Sequence, residues 1–324
     1  MKVLIIGGAG MIGRKLSERL AKDGTVAGEA ISKLTLYDVV PGATPAGARM
    51  PVAIATGDLP AAGEADKLIA DRPDVIFHLA AIVSGEAEQD FDKGYRINMD
   101  GTRGLLEAVR KAGHKPRLVF ASSIAVFGAP FPEAIGDEFF NTPLTSYGTQ
   151  KNICELLISD YSRKGFVDGL SIRLPTICVR PGKPNKAASG FFSNIMREPL
   201  AGEEAVLPVS DTVMHWHASP RAAVGFMLHA AGIDLGKVGP RRALTMPGLA
   251  VTVGEQISAL RKVAGDKVVA RIRREPDPFI EQIVAGWPRN FSPKRALELG
   301  FKADASFEAI IRHHIEDELG GKIA

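Results

Sequence analysis

Short runs of hydrophobic, often β-branched residues alternate with helical stretches through the first half of the chain. Continuous hydrophobic strands separated by helices are typical of a parallel sheet covered on both faces. The pattern predicts an α/β fold, a Rossmann-like doubly wound parallel sheet. The predicted strands are 2–7, 33–38, 51–57, 74–80, 117–123 and 169–175, and the predicted helices are 12–22, 64–71, 90–112 and 147–164.

After Pro175 the pattern changes to an irregular segment rich in Pro, Gly and Lys. The elements predicted beyond it are a helix over 190–198, a turn-rich stretch to His217, a helix over 219–232, a strand over 242–248, a strand leading into a helix over 251–265 and a last helix over 306–319. The predicted domains are a nucleotide-binding Rossmann domain over 1–177, completed by about 217–248, and a smaller substrate-binding lobe over 178–216 and 249–324. We expect a cleft between them.

Composition excludes several classes of function. The 324 residues are 45% hydrophobic and 24% charged, and their net charge of +3 is too balanced for a nucleic-acid surface. Cys154 and Cys178 lack the spacing of a metal site, so we expect no metal and a reducing, cytoplasmic location. The apolar start is interrupted by glycines, and no run approaches the roughly 18 apolar residues of a membrane helix, so we expect neither a signal peptide nor membrane association.

The motif GGAGMIG follows the first predicted strand and opens a helix. Gly7, Gly10 and Gly13 would allow a tight turn, a close approach of the backbone to a pyrophosphate and close helix packing. The helix N-terminus would supply N–H groups and a partial positive charge. We therefore predict a dinucleotide site that includes Met11 and Ile12, although an ordinary strand-to-helix turn has the same glycines.

Two aspartates end the next strands. Asp38 lies 25 residues beyond Gly13 and could accept hydrogen bonds from the adenosine ribose, while its charge would repel a 2′-phosphate. That favours NAD over NADP, unless Asp38 is only a turn residue. Asp58 could bind the adenine edge, and a surface turn is the alternative.

Tyr147 and Lys151 lie at i and i+4 of a predicted helix, so their side chains share one face. A tyrosine that acts as a base near pH 7 needs its pKa lowered by roughly 3 units, and a neighbouring Lys⁺ and an oxidised nicotinamide ring are two sources of that lowering. Ser123 ends the fifth strand at the edge where ligands bind, and could donate a hydrogen bond to the same substrate oxygen. The alternative is a surface pair on a helix.

The order of these motifs resembles that of the extended short-chain dehydrogenase/reductases, which include nucleotide-sugar epimerases and dehydratases. The resemblance covers nearly the whole chain and implies NAD as the cofactor. The motifs that carry it are GGAGMIG, Asp38, GDL at 57–59, HLAA at 78–81, NMDGT at 98–102, SSIAVFG at 122–128, YGTQK at 147–151 and RALELGF at 295–301.

The resemblance implies catalytic roles for Ser123, Tyr147 and Lys151, with Lys151 also holding the nicotinamide ribose. It places the segment LPTICV beside the nicotinamide, so Pro175 and Ile177 become predicted cofactor contacts. The further cofactor contacts that it implies are Leu59, Leu79, Ala80, Ala81 and Asn98.

The resemblance also implies a homodimer packed through the helices near 90–112 and 147–164, although an intramolecular face would fit their periodicity equally well. Two departures from the family pattern bear on the reaction. Ile124 and Ala125 follow Ser123, where dehydratases carry acids, which argues against dehydration. VMHWHASP at 213–220 replaces the Arg-Asp-aromatic run that epimerases usually carry.

Longer stretches resemble a group within this family whose members oxidise the C2 hydroxyl of a four-carbon sugar acid to the 2-oxo acid with NAD. These stretches are HLAAIVSGEAE at 78–88, DYSRKGFVDG at 160–169, RLPTICVRPGKPN at 173–185, FFSNIMREPLAGEEAVLPV at 191–209 and HWHASPRAA at 215–223. The alternatives are a nucleotide-sugar epimerase that keeps NAD bound and a non-catalytic NAD-binding regulator, since fold does not fix function.

The carboxylate of such a substrate needs cationic or hydroxyl donors. The candidates are Ser84, Arg180, Lys183 and His215, together with Ser123 and Tyr147 at the reacting hydroxyl. We rank Arg180 first, because a guanidinium binds a carboxylate bidentately. Trp216 could close the pocket or pack in the core. His78 is expected in the core, and the histidine pair at 313–314 is expected far from every motif.

Overall fold

The computed structural model describes residues 1–182 and 189–324. Its centre is a seven-stranded sheet in which every neighbouring pair of strands is parallel, in the order β3-β2-β1-β4-β5-β6-β7. This confirms the predicted doubly wound fold. The strands are β1 Lys2–Ile6, β2 Lys33–Asp38, β3 Val52–Thr56, β4 Val75–His78, β5 Arg117–Ser123, β6 Asp168–Leu174 and β7 Ala243–Thr245.

The strand order reverses on either side of β1, which pairs with both β2 and β4. Ile6 at the end of β1 is in register with His78 at the end of β4, so the two strands open at the same edge of the sheet. In open α/β sheets, ligands bind outside the carboxyl ends of the strands at such a switch point. The fold therefore directs the search for a site to this edge.

Helices cover both faces of the sheet, and three of the four helices predicted in the first half begin and end within one residue of their predicted bounds. None of the helices within 1–182 and 189–324 is long and apolar enough to cross a membrane. The helices are α1 Met11–Asp23, α2 Glu64–Ala70, α3 Ser84–Gln89, α4 Phe91–Gly94, α5 Gly101–Ala112, α6 Ser146–Arg163, α7 Gly190–Leu200, α8 Pro220–Gly232, α9 Leu235–Val238, α10 Val253–Ala264, α11 Asp266–Val269, α12 Pro278–Ala285, α13 Lys294–Glu298 and α14 Phe307–Glu318.

The predicted helix over 90–112 is interrupted. A π-helical turn, Tyr95–Asp100, separates α4 from α5, and α3 precedes them as an additional short helix. Such π-helical insertions are frequent at functional sites, because one extra residue re-aims a side chain. Here the turn carries Asn98, one of the predicted cofactor residues.

The region after β6 contains more strands than the sequence predicts. The prediction of a turn-rich stretch up to His217 is partly wrong, because this stretch includes two strands. Thr176–Ile177, Met214–Ala218 and Leu249–Thr252 form a three-stranded sheet, and Ala205–Leu207 pairs with Ile272–Arg274. These strands pair with partners distant in sequence, and local periodicity does not reveal such pairing. Two further pairs of two-residue strands join Ile135–Gly136 to Phe291–Ser292 and Thr25–Val26 to Glu29–Ala30.

Separate hydrophobic clusters support the two parts of the molecule. One cluster packs α1 and α8 against one face of the central sheet and includes the fully buried Leu16, Leu20 and Met227. Another lies among α7, α10 and α14, where Phe192 and Ile310 are fully buried. Each fully buried large side chain contributes roughly 1.5–3 kcal/mol. The division into domains at the predicted boundaries stays a prediction.

Candidate active site

A cleft of about 460 Å³ opens at the carboxyl ends of β1, β4, β5 and β6. Most of the predicted site residues line it, including candidates for the cofactor, the chemistry and the substrate. They are Gly7, Gly10, Met11, Ile12, Gly13, Leu79, Ala81, Ser84, Ser123, Tyr147, Lys151, Pro175, Ile177, Arg180 and His215. The other predicted residues within the described part of the chain do not line the cleft; they are Asp38, Asp58, Leu59, Ala80 and Asn98. Lys183 lies outside the described residues.

The glycine loop at one end of the cleft has no room for side chains. Gly7 has a φ of +92°, and a Cβ there would lie 2.7 Å from the backbone nitrogen of Ala80. A Cβ on Gly13 would lie 2.1 Å from the carbonyl oxygen of Gly7. The N-cap residue of α1, Gly10, makes no side-chain capping bond, so the first turn presents backbone N–H groups. This cradle fits a pyrophosphate.

Asp38 holds the glycine loop from the side. Its Oδ2 accepts a hydrogen bond from the backbone nitrogen of Ala9 at 3.0 Å, and its Oδ1 accepts one from that of Val39 at 2.7 Å. A negative charge therefore lies beside the loop, as the NAD prediction requires. Asp58 instead forms an ion pair with Arg96 at 2.6 Å.

Asn98 acts on the cleft through a neighbouring loop. Its amide is buried, where Oδ1 accepts from the backbone nitrogen of Ile82 at 2.9 Å and Nδ2 donates to Gln150 Oε1 at 2.7 Å. Ile82 lines the cleft, so the π-helical turn fixes part of its wall. Ala80 packs against the glycine loop, and Leu59 is buried in a hydrophobic cluster.

The three predicted catalytic side chains meet in the middle of the cleft. Ser123 ends β5, and α6 begins at Ser146, where Thr145 Oγ1 accepts from the backbone nitrogen of the third residue of the helix at 3.1 Å. A Cβ on Gly148 would lie 2.1 Å from the carbonyl oxygen of Ala125. That glycine lets the start of α6 pack closely against the turn that follows Ser123.

Burial dominates the protonation of Tyr147 and Lys151. It raises the pKa of Tyr147 to about 12, while a hydrogen bond from Ser123 and the charge of Arg180 lower that pKa. It also lowers the pKa of Lys151 to about 8. The sequence predicts that the charge of Lys151 lowers the pKa of Tyr147. In the structure the lysine Nζ lies 5.7 Å from the tyrosine ring centre and donates to the Ala121 carbonyl at 2.8 Å.

Arg180 brings a positive charge to the substrate end of the cleft. Its Nε donates to the carbonyl of Ile177 at 3.1 Å, and its Nη2 donates to Ser189 Oγ at 2.6 Å. Within 1–182 and 189–324 it forms no ion pair with a carboxylate, and burial lowers its pKa. A buried cation without an acid beside it favours an anionic ligand.

His215 lines the same end but is neutral. Its Nδ1 lies 2.9 Å from the Pro288 carbonyl, which can only accept, so Nδ1 carries the proton. Its Nε2 therefore accepts from Thr176 Oγ1 at 2.7 Å. Burial lowers the pKa of His215 to about 4, so it supplies no positive charge at neutral pH. Direct contact of His215 with a substrate stays a prediction.

Thr176, Asn194 and Trp287 are among the lining residues that the sequence does not single out as site residues. Thr176 lies within the LPTICV motif, which was the available signal, whereas Trp287 comes from a lobe segment without any motif. The other tryptophan, Trp216, lies in the core and donates its Nε1–H to the Met246 carbonyl at 3.1 Å.

The remaining histidines lie away from the cleft wall. His78 is buried and bonded to Thr102 Oγ1 at 2.8 Å, which confirms its expected place in the core. His313 and His314 belong to α14 and do not line the cleft. Among the described residues, no group of three or more His, Cys, Asp and Glu side chains could hold a metal ion.

Comparison with known proteins gives consistent matches over almost the whole chain. The model of the NAD dependent epimerase/dehydratase family matches residues 3–216. A D-erythronate dehydrogenase of Cupriavidus necator is 48% identical, over 98% of this chain and 98% of that protein. A D-erythronate dehydrogenase of Haemophilus influenzae is 46% identical, over 98% of this chain and 100% of that protein.

A solved structure is also very similar to this chain. It is the crystal structure of the nucleoside-diphosphate-sugar epimerase from Agrobacterium tumefaciens, which is 66% identical and has a TM-score of 0.98. The match covers 100% of this chain and 96% of that one. The names of these relatives therefore include both a dehydrogenase and an epimerase.

Proposed function

We propose that this chain, which belongs to the NAD-dependent epimerase/dehydratase family, oxidises the C2 hydroxyl of D-erythronate or a close four-carbon sugar acid to the 2-oxo acid. NAD is its cofactor, and its class is that of the NAD-dependent dehydrogenases acting on a CH–OH group. The choice of substrate is supported by the names of two relatives at 46–48% identity.

In the proposed reaction, each catalytic side chain has one task. Tyr147 accepts the proton of the C2 hydroxyl, and Ser123 donates a hydrogen bond that orients the same oxygen. Lys151 holds the nicotinamide ribose and adds positive charge near the phenolate. NAD, when bound, would accept the hydride that leaves C2 and would bring a positive charge close to Tyr147.

One observation carries the proposal: the buried guanidinium of Arg180 lines the same cleft as Ser123 and Tyr147. In a 2-hydroxy acid, the reacting hydroxyl is on the carbon next to the carboxylate. A carboxylate bound by Arg180 therefore presents its C2 hydroxyl near Tyr147. A substrate whose anion lies far from the reacting carbon would not use this proximity.

The second candidate is a nucleotide-sugar epimerase, and the name of the relative at 66% identity favours it. That reaction needs a clamp for a diphosphate, which family members supply from the segment that corresponds to 213–220. Here Met214–Ala218 is a strand whose His215 is neutral and engaged on both ring nitrogens. A non-catalytic regulator would have no use for Ser123 and Tyr147 in one cleft.

A substrate panel tests the proposal. Purified protein with NAD is given D-erythronate, L-threonate, longer sugar acids and, separately, UDP-sugars, and NADH formation and epimer formation are both followed. We expect NADH with D-erythronate or another four-carbon acid, and no conversion of UDP-sugars. Epimerisation of a UDP-sugar without net NADH would support the second candidate, and cofactor binding without any turnover would support a regulator.

We also propose a homodimer that forms through α4 to α6. Two large apolar side chains on these helices are exposed in the single chain: Phe91 by 59% and Leu156 by 65%. Large apolar side chains left exposed on these helices could be covered in such an interface. Light scattering should give the mass of two chains, and of one chain for Leu156→Glu. A wild-type monomer would contradict the dimer.

The cytoplasmic location stays a prediction from the sequence. Cys154 and Cys178 are both buried as free thiols, which is compatible with a reducing compartment.

A further inference from the structure

Trp287 forms part of the wall at the substrate end of the cleft. It lies with Gly286 and Pro288 in the short segment that follows α12, and all three residues line the cleft. Its side chain is only partly buried, because one side borders the cleft. A large aromatic wall is an effective limit on the length of a ligand, since a close-packed indole does not yield to extra atoms.

His215 holds Trp287 and Pro288 in place. Its ring packs against the indole of Trp287 with the ring centres 5.4 Å apart, and its Nδ1–H donates to the carbonyl of Pro288. On its other side the imidazole stacks on Phe192, at 5.3 Å and nearly parallel. The Thr176 hydroxyl donates to the remaining ring nitrogen. The histidine therefore ties the tryptophan segment to the floor of the cleft at Thr176.

The lobe holds the segment from the other side. The backbone nitrogen of Trp287 donates to the carbonyl of Val284 at 3.0 Å, which closes the end of α12. The indole also packs against the hydrophobic cluster that contains Phe192 and Ile257. The position of Trp287 is thus set by its contact with His215 and by its packing on the lobe cluster.

The same end of the cleft contains the proposed carboxylate anchor. Arg180, Tyr147 and His215 line the same cleft as Trp287, so the anchor, the base and the support of the tryptophan border one space. A substrate held at its carboxylate by Arg180 and at C2 by Tyr147 has only its remaining carbons free. Those carbons must fit between these groups and the walls of the cleft.

We propose that Trp287, positioned by His215, is the specificity-determining residue that limits the substrate to a short sugar acid. This inference rests on the proposed function and deepens it, because it assigns chain-length selection to one side chain. His215 is then a positioning residue that acts through the tryptophan, since its Nδ1–H is bonded to the Pro288 carbonyl and the ring carries no charge.

Replacing Trp287 tests the inference. The quantity measured is the ratio of kcat/KM for five- and six-carbon aldonates, with the same configuration at C2, to kcat/KM for the four-carbon acid. Trp287→Ala should raise this ratio by about tenfold or more, because one or two extra carbons in a pocket change binding by that order. Trp287→Phe keeps an aromatic wall and should keep most of the selectivity. If the alanine variant does not fold, Trp287→Leu replaces it, because leucine is smaller than tryptophan and should also raise the ratio.

Trp216→Phe is the matched control. It removes an indole from the neighbouring core, where the N–H is bonded to Met246 and no atom lines the cleft. This variant should lower the melting temperature without changing the ratio. An equal rise in both tryptophan variants would show general loosening and overturn the inference.

His215 is tested by a pair of variants. Asn at this position can still donate to the Pro288 carbonyl, whereas Leu cannot. His215→Leu should therefore raise the ratio as Trp287→Ala does, and His215→Asn should raise it less. Equal effects of the two variants would contradict a role in positioning.

Failure of the inference and failure of the proposed function give different results. If the wild-type protein oxidises the four-carbon acid and Trp287→Ala leaves the ratio unchanged, Trp287 does not select chain length and the proposed function stands. If the wild type oxidises no sugar acid, the proposed function is wrong and the inference falls with it.

Discussion

The carboxylate of Glu155 accepts three hydrogen bonds from the guanidinium of Arg173, at 2.7, 2.9 and 3.1 Å, directly behind the proposed catalytic residues. The exposed side-chain fractions are only 3% and 12%. Glu155 also accepts from Ser122 Oγ at 2.5 Å and lies one helical turn after Lys151. The pair therefore joins α6, β5 and β6, the elements on which Tyr147, Ser123 and the cleft floor depend.

Glu155→Gln should lower the free energy of unfolding by about 3–5 kcal/mol, because it leaves Arg173 buried without its counter-ion. Chemical denaturation of the two proteins measures the difference. Asp160→Asn is the control, since it breaks an exposed ion pair with Arg163 on the same helix and should cost less than about 1 kcal/mol. A loss below 1 kcal/mol in the Glu155 variant would show that the buried pair contributes little.

Tyr147→Phe should reduce turnover by about 10²- to 10⁴-fold, because the phenol is the proposed base. Binding of NAD, followed by fluorescence or calorimetry, should stay near the wild-type value. Tyr161→Phe on the same helix is the control, since its hydroxyl bonds to Glu107 away from the cleft. Turnover that survives in Tyr147→Phe would rule out this tyrosine as the base.

Asp38→Ala should weaken the preference for NAD over NADP by about tenfold or more, because like charges brought together cost several kcal/mol. The measurement is the ratio of kcat/KM for the two cofactors. Asp58→Asn removes a carboxylate that is already paired with Arg96, and should leave this ratio nearly unchanged. An unchanged ratio in the Asp38 variant would show that Asp38 only supports the glycine loop.

The protein should lose stability as the pH falls below about 6.5. Burial lowers the pKa of His78 to about 3, and of His215 and His314 to about 4, so the unfolded chain takes up protons that the folded chain does not. Their stabilisation is complete above pH 6.5, and each group loses up to about 1.4 kcal/mol per pH unit between 6.5 and its folded pKa.

Urea unfolding at pH 7.5 and pH 5.0 measures this loss. His314→Phe should reduce the pH dependence, because it removes one of these titrations; His314 lies in α14, away from the cleft wall. The ordinary carboxylates titrate below this window, so they do not mask the effect. Equal stability at both pH values would contradict the assignment of these histidines as neutral.

Much of the structure of the first half of the chain could be predicted, because it follows from patterns among residues that are close in sequence. The alternation of strands and helices and the loop Gly7–Gly13 follow from short-range patterns, and α6 begins where Thr145 caps it. The spacing of Tyr147 and Lys151 predicts that their side chains lie on one face of a helix, and both line the same cleft. Their protonation could not be predicted, because burial raises the pKa of Tyr147 by more than the hydrogen bond from Ser123 and the charge of Arg180 lower it.

The second half of the chain was harder to predict, because its structure depends on contacts between residues that are distant in sequence. Ala205–Leu207 becomes a strand by pairing with Ile272–Arg274, more than sixty residues away. Trp287 reaches the cleft only because His215 and the lobe cluster hold it there. Asn98 fixes a loop of the cleft through a π-helical turn that helical periodicity does not reveal.

The most direct test of the account uses D-erythronate that carries deuterium at C2. The protein is incubated with this substrate and NAD, and the reduced cofactor and the acid product are analysed by mass spectrometry. We expect one deuterium in the reduced cofactor and a 2-oxo acid without deuterium, because the hydride leaves the carbon next to the carboxylate that Arg180 binds. Reduced cofactor without deuterium, beside a product that retains it, would contradict oxidation at C2.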